Sequence, residues 1–290
     1  MQARSFIAGD WYASAQTSAL PVLNPATGST LGTVDLIDRA GLDAALASAA
    51  QGFRVWREKS GYERAAVLRE AVRILRSRKE AIARTMTMEQ GKPLAESVAE
   101  VTTSADNIEW MAEEATRTYG RVLVPRNAGV SQHVRREPIG PVASFCPWNF
   151  PALTPARKIA GALAAGCSLI LKPAEETPFT AGGIGQAFIG ARVPAHVLNL
   201  VYGRPEEVSS HLIASEVVRK ISFTGSTAVG KKLLALAANG VKRATMELGG
   251  HAPVLVFDDM DPVQAAKQAV TAKFRNAGQV CTSPTRFYVQ

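Results

Sequence analysis

A thiol, a carboxylate, a carboxamide and an amine stand where each could serve one reaction. Cys281 lies in Asn276-Ala277-Gly278-Gln279-Val280-Cys281-Thr282-Ser283, between a helical run at 262–274 and a strand-like end at 285–290. Glycine there lets the backbone turn sharply and approach a ligand closely. A thiol in such a loop can meet a substrate, although most free cysteines are small buried hydrophobes. Glu247, thirty-four residues upstream, leaves a strand-like run at 242–246 and precedes Leu248-Gly249-Gly250. A carboxylate so placed can act as general base; a lone glutamate before a turn is more often structural. Asn149 sits in Cys146-Pro147-Trp148-Asn149-Phe150-Pro151. Its NH2 suits an oxyanion because it donates a hydrogen bond without giving up its proton. Taken alone it reads as a turn asparagine. Arg157 and Lys158 fall on the following helix, where a basic surface pair is the plain alternative.

Two further stretches address an anionic ligand. Lys172-Pro173-Ala174-Glu175 follows a strand-like run, and its lysine and carboxylate can both bond ribose hydroxyls; the carboxylate would repel a 2′-phosphate. A surface salt bridge explains the tetrapeptide equally well. Thr224-Gly225-Ser226-Thr227-Ala228-Val229-Gly230 joins a strand to a helix start, an arrangement that attracts a pyrophosphate through free N–H groups and the helix dipole. Thr227 stands where a dinucleotide fingerprint has its middle glycine, so by itself the stretch is weak.

The elements that must position these groups change character along the chain. Residues 1–36 alternate apolar stretches with turn clusters and predict short strands and hairpins. Helices are expected at 38–59, at 60–89 from a Ser60/Glu63 capping box, and at 93–118. A strand is expected at 130–136. From Pro141 onward, strands at 142–145, 168–171, 197–201, 220–223 and 242–246 alternate with helices at 153–165, 178–191, 205–215 and 227–239. That alternation implies a parallel sheet covered on both faces, whose ligands bind outside the carboxyl ends of the strands.

Composition narrows the class. The 290 residues are 47% hydrophobic and 20% charged, with a net charge of +8 spread in short basic groups. This fits a soluble globular protein and gives no nucleic-acid signature. The longest apolar run, 159–171, is too short for a membrane span and is broken by Gly161 and Gly166. Three widely spaced cysteines suggest neither a disulfide framework nor a metal site, which points to the reducing cytoplasm.

The ordered set PWNFP at 147–151, KPAE at 172–175, FTGSTAVG at 223–230, ELGG at 247–250 and GQVC at 278–281 resembles the NAD(P)-dependent aldehyde dehydrogenase family. The likeness covers essentially the whole chain. It implies a Rossmann-like α/β domain over 1–250, interrupted by an oligomerisation arm at about 121–140, and the start of a second α/β catalytic domain over 251–290. It also implies that Cys281 is the nucleophile, Glu247 the base, Asn149 the oxyanion donor with the Cys281 amide, and Lys158 an aid to proton relay and cofactor positioning. Cys146, Pro147, Trp148, Lys172, Ala174, Glu175, Gly225, Ser226, Leu248 and Gly249 would face the cofactor, NAD by the Glu175 carboxylate with NADP possible.

Arg157 and Arg275 match positions that bind the distal carboxylate in the succinate-semialdehyde branch, with glutarate semialdehyde a close second. Arg192 stands where relatives commonly have glycine, so a left-handed helix end there would be strained by about 1 kcal/mol. Family members run well past the cysteine. The resemblance therefore predicts a portion or truncated form that does not turn over alone, and a homodimer or homotetramer at full length. A non-catalytic binding protein that keeps the fold, or a cofactor-independent thiol esterase, are the alternative readings.

Overall fold

The strand–helix alternation beyond residue 141 is realised as a parallel sheet. The computed structural model describes residues 1–15 and 18–290. Short strands β1 (Gln2–Ala3), β2 (Phe6–Ile7), β3 (Asp10–Trp11), β4 (Ala19–Leu23) and β5 (Thr30–Asp35) come first. Helices α1 (Arg39–Trp56), α2 (Gly61–Ser77), α3 (Lys79–Gln90) and α4 (Leu94–Ala115) follow, then the hairpin β6 (Arg121–Leu123) and β7 (Gln132–Val134). The alternating part comprises β8 (Val142–Phe145), α5 (Leu153–Ala164), β9 (Leu169–Lys172), α6 (Pro178–Gly190), β10 (Leu198–Leu200), α7 (Pro205–Ala214), β11 (Lys220–Gly225), α8 (Thr227–Ala238) and β12 (Arg243–Leu248). Beyond it lie β13 (Ala252–Val256), α9 (Pro262–Phe274) and β14 (Pro284–Val289).

The main sheet has the order β12-β11-β8-β9-β10-β2-β3. The five expected strands run parallel, and the N-terminal pair extends the sheet antiparallel beyond β10. That addition pairs an edge that would otherwise present free backbone groups. Every residue of β9 is buried, as a strand covered on both faces requires. Leu169 and Leu171 join the core with Ile159, Leu163 and Phe188, while Ile170 points to the opposite core with Leu42, Leu212 and Ile221. This is the two-residue period of a strand expressed as two cores.

At two places a helix meets its neighbour backbone to backbone. A Cβ on Gly52 of α1 would clash with the His196 carbonyl, and one on Gly61 of α2 with the Ala115 carbonyl. Only a hydrogen fits at either place.

Local expectations are corrected at three points. The helix expected over 60–89 is two helices that meet at Arg78, with φ −104° and ψ 6°. There the Arg78 amide is shared between the Ile74 and Leu75 carbonyls at 3.2 and 3.1 Å, and the Ser77 hydroxyl adds a bond to the Ile74 carbonyl at 2.8 Å; neither glycine nor proline marks the break. Strand β13, absent from the sequence reading, pairs in parallel with β14. The expected strand at 130–136 shortens to β7 and pairs with β6. The Ser60/Glu63 capping box forms as read, and Arg192 adopts φ +61° at the end of α6. Among the described residues no helix is long and apolar enough to cross a membrane, and no cluster of three or more potential metal ligands occurs.

Candidate active site

Strands β8, β9, β11 and β12 are parallel neighbours, so their carboxyl ends share one edge. From β8 the chain proceeds to β9 on one side, whereas β11 lies on the other. The crevice between such neighbours is where open α/β sheets take ligands. Cys146, Pro147, Trp148 and Asn149 leave β8, and Lys172, Ala174 and Glu175 leave β9. Gly225 ends β11 and Ser226 caps α8, while Glu247 and Leu248 end β12 and Gly249 follows. Register sets Thr224 beside Glu247 and Gly225 beside Leu248.

A dinucleotide fits this edge. The Ser226 hydroxyl accepts from the Val229 amide at 3.3 Å, leaving the Thr227 and Ala228 amides of the first turn of α8 for an anion. No atom lies within 4 Å of where a Cβ on Gly249 would stand. Trp148 is exposed and Pro147 half-buried beside it. Other expected cofactor residues are engaged within the protein. Lys172 is buried and donates to the Glu175 carboxylate at 2.5 Å and the Pro173 carbonyl at 3.2 Å, so the two ribose candidates already form a pair. Cys146 and Ala174 are buried. Burial pushes the Cys146 thiol up to about 12, against the lowering pull of Lys158 and Lys172. Leu248 packs its side chain against Gly230 and the core, so it offers the edge backbone only. Lys158 donates to the Ser222 hydroxyl at 2.8 Å. Burial lowers its pKa, with Cys146 and Glu247 pulling the other way.

Three remote stretches meet around the exposed Cys281. The Asn149 Nδ2 donates to the Gln279 carbonyl at 2.9 Å across 130 residues. A carboxamide carries two N–H donors, so one orients the group and the other is available. The amide of Gly250, three residues beyond Glu247, donates to the Cys281 carbonyl at 3.1 Å. Asn276 is buried and donates from Nδ2 to the Asn149 carbonyl at 2.9 Å and the Gln279 carbonyl at 3.1 Å. Arg157 and Arg275 are both exposed.

Sequence reasoning missed the residues that hold these stretches. Lys92 is buried, pairs with Glu100, donates to the Asn149 carbonyl at 3.0 Å and sits 4.5 Å above the Phe150 ring. Glu100 also accepts from the Ala152 and Leu153 amides at 2.9 and 3.0 Å. Gln90 donates to the Gln279 side chain at 2.8 Å, and Glu96 accepts from the Asn276 amide at 2.6 Å. The only available signal was the polar sequence Glu89-Gln90-Gly91-Lys92 at a helix end.

The aldehyde dehydrogenase family model matches residues 11–290. The chain is 48% identical over 283 residues to 4-(hydroxymethyl)benzenesulfonate dehydrogenase TsaD1 of Comamonas testosteroni, covering 98% of this chain and 59% of that protein. It is 42% identical to the succinate-semialdehyde dehydrogenase [NADP(+)] GabD of Escherichia coli K12, covering 99% and 60% respectively. The crystal structure of succinate-semialdehyde dehydrogenase from Burkholderia pseudomallei superposes with a TM-score of 0.96 at 43% identity, over 99% of this chain and 60% of that one. The chain thus spans about 60% of the length of the relatives it matches. With that span, and with its sheet edge built as described, the chain belongs to the aldehyde dehydrogenase family.

Proposed function

We propose that the protein oxidises an aldehyde to its acid through a covalent adduct on Cys281, with NAD(P)+ as acceptor. The observation that carries this reading is the bond from Asn149 to the Gln279 carbonyl, which brings an uncharged donor to the loop of an exposed thiol. The Cys281 thiolate attacks the aldehyde carbon. The free N–H of Asn149 and the Cys281 amide receive the developing oxyanion. NAD(P)+, held by the α8 N-terminus and the ends of β9 and β12, supplies the hydride acceptor when bound. The resulting Cys281 thioester is hydrolysed by water that Glu247 deprotonates. Dividing the oxidation at a covalent intermediate replaces one hard step by two easier ones.

For the substrate we favour an aldehyde with a distal anionic group, succinate semialdehyde first and glutarate semialdehyde second, bound by Arg157 and Arg275. Guanidinium groups form strong paired bonds with such anions. Support comes from the relatives' names, which carry a sulfonate in one case and a carboxylate in the other. Two observations bear on the acceptor: the Glu175 carboxylate argues for NAD+, while the Escherichia coli relative's name specifies NADP(+). Three unpaired cysteines accord with the cytoplasm, and the β6–β7 hairpin with a dimer or tetramer.

The test follows reduced-cofactor absorbance with succinate semialdehyde in the intact protein. Asn149→Ala is expected to lose roughly a hundredfold in turnover, the usual effect of deleting one oxyanion donor, while still binding NAD(P)+. Unchanged turnover removes Asn149 from the mechanism. For the substrate, kcat/KM is compared between succinate semialdehyde and butyraldehyde in the wild type and Arg275→Ala; a wild type that prefers butyraldehyde ends the anionic assignment.

A further inference from the structure

The turn leading to Cys281 has a conformation that Ala277 does not favour. Asn276 and Ala277 adopt φ +54° and +53°, followed by Gly278 at +77°. Left-handed backbone is disfavoured for most residues with a Cβ, for alanine more than for asparagine, and two in succession persist only where the surroundings hold them. The buried Asn276 is held by polar partners: its side chain donates to the Asn149 and Gln279 carbonyls, and tethers from α4 hold its backbone. The Asn276 amide donates to Glu96 at 2.6 Å across 180 residues. One helical turn later on the same face, Glu100 accepts from the Ala152 and Leu153 amides and pairs with Lys92, which in turn holds the Asn149 carbonyl. Residues i and i+4 of a helix share a face, so one side of α4 carries a grip for each half of the site.

We propose that Glu96 is a positioning residue for the Cys281 loop: by accepting the Asn276 amide it fixes the left-handed turn and sets the thiol against Asn149. It touches no reacting group and acts through Asn276. The assignment of a catalytic consequence rests on the reading of Cys281 as nucleophile.

Hydrogen–deuterium exchange of the segment 274–283 tests the hold directly and needs neither cofactor nor aldehyde. Glu96→Ala should raise exchange at the Asn276 amide at least tenfold and leave β8, β9 and β10 within twofold of wild type. Glu96→Gln keeps a carbonyl acceptor at the same reach and should remain within threefold. Adding Ala277→Gly to Glu96→Ala relieves the turn and should remove at least a threefold part of the excess exchange. An Asn276 amide that exchanges within twofold of wild type in Glu96→Ala, or a Gln variant as fast as the Ala variant, overturns the proposal. Steady-state kinetics of the intact protein form the second readout. Glu96→Ala should lower kcat at least tenfold with KM for the dinucleotide within threefold, and Glu96→Gln should restore most of it; an unchanged kcat overturns the positioning role. A wild type that forms no reduced cofactor while the exchange pattern holds sinks the dehydrogenase reading and supports the hold of Glu96 on the turn.

Discussion

Helices α5 and α9 are of similar length, and they sit in opposite circumstances. α5 buries Pro155, Ala156, Ile159, Ala160, Leu163 and Ala164 between the sheet and the outer helices. α9 buries nothing, and Phe257, Val263, Val270, Phe274 and Val289 around it are each more than half exposed. Within this chain, which spans about 60% of its relatives' length, the carboxamide sits beside a packed element and the thiol loop follows a bare one. The contrast teaches that polar tethers to α4 and the Asn149 loop join the thiol loop to the packed region in the residues described.

The largest effect should come from breaking the junction of the two regions. Lys92→Ala leaves Glu100 buried without its cation, which typically costs 3–5 kcal/mol, roughly; urea denaturation measures it, and a cost near zero would show that the junction is dispensable. Leu163→Ala, in the packed region, should cost about 2–5 kcal/mol by transfer and cavity terms.

Acidity sharpens the comparison further, because the packed region carries a carboxyl buried against a helix start. Glu89 accepts from the Phe179 and Thr180 amides at 3.0 and 2.7 Å. Burial pushes it from 4.5 up to about 7, against those lowering bonds. A carboxyl raised in the folded state stabilises fully below pH 4.5 and loses that contribution as pH rises through 7. Stability of Glu89→Gln relative to wild type should thus improve between pH 4.5 and 7, by up to about 3 kcal/mol at 1.36 kcal/mol per pH unit. Parallel pH profiles of the two proteins would refute the assignment.

Smaller again, Arg192→Gly relieves a φ of +61° and should stabilise by about 1 kcal/mol, read as a rise in the denaturation midpoint. In the 290-residue chain, where Val270 on α9 is exposed, Val270→Ser should change stability by less than about 0.5 kcal/mol. A large loss there would mean that α9 packs in solution and would erase the contrast.

Legibility followed the same division. The short apolar runs at 142–145, 168–171, 197–201 and 220–223, alternating with helical segments, gave away the sheet, because strands buried on both faces read as nearly continuous apolar runs. The strained helix end at Arg192 was legible from a side chain in a glycine's place. Strand β13 was hidden because Pro253 stands inside the apolar run at 252–257, and a proline within a run argues against a strand. The break at Arg78 was hidden because no glycine or proline stands there. At the site, loop motifs pointed to the thiol, the carboxylate and the amide. Glu96, Glu100 and Lys92 were illegible for a physical reason: on a helix, a carboxylate that grips a distant loop looks the same in sequence as one that faces water.

The two glycines at the helix contacts, Gly52 and Gly61, have a consequence for how the chain tolerates change. Each stands where one backbone rests directly on another, so the spacing of the layers is set by a hydrogen atom. Even alanine would have to push a whole helix outward. In a mutational scan, these two positions, which perform no chemistry, should therefore rank among the least forgiving of substitution.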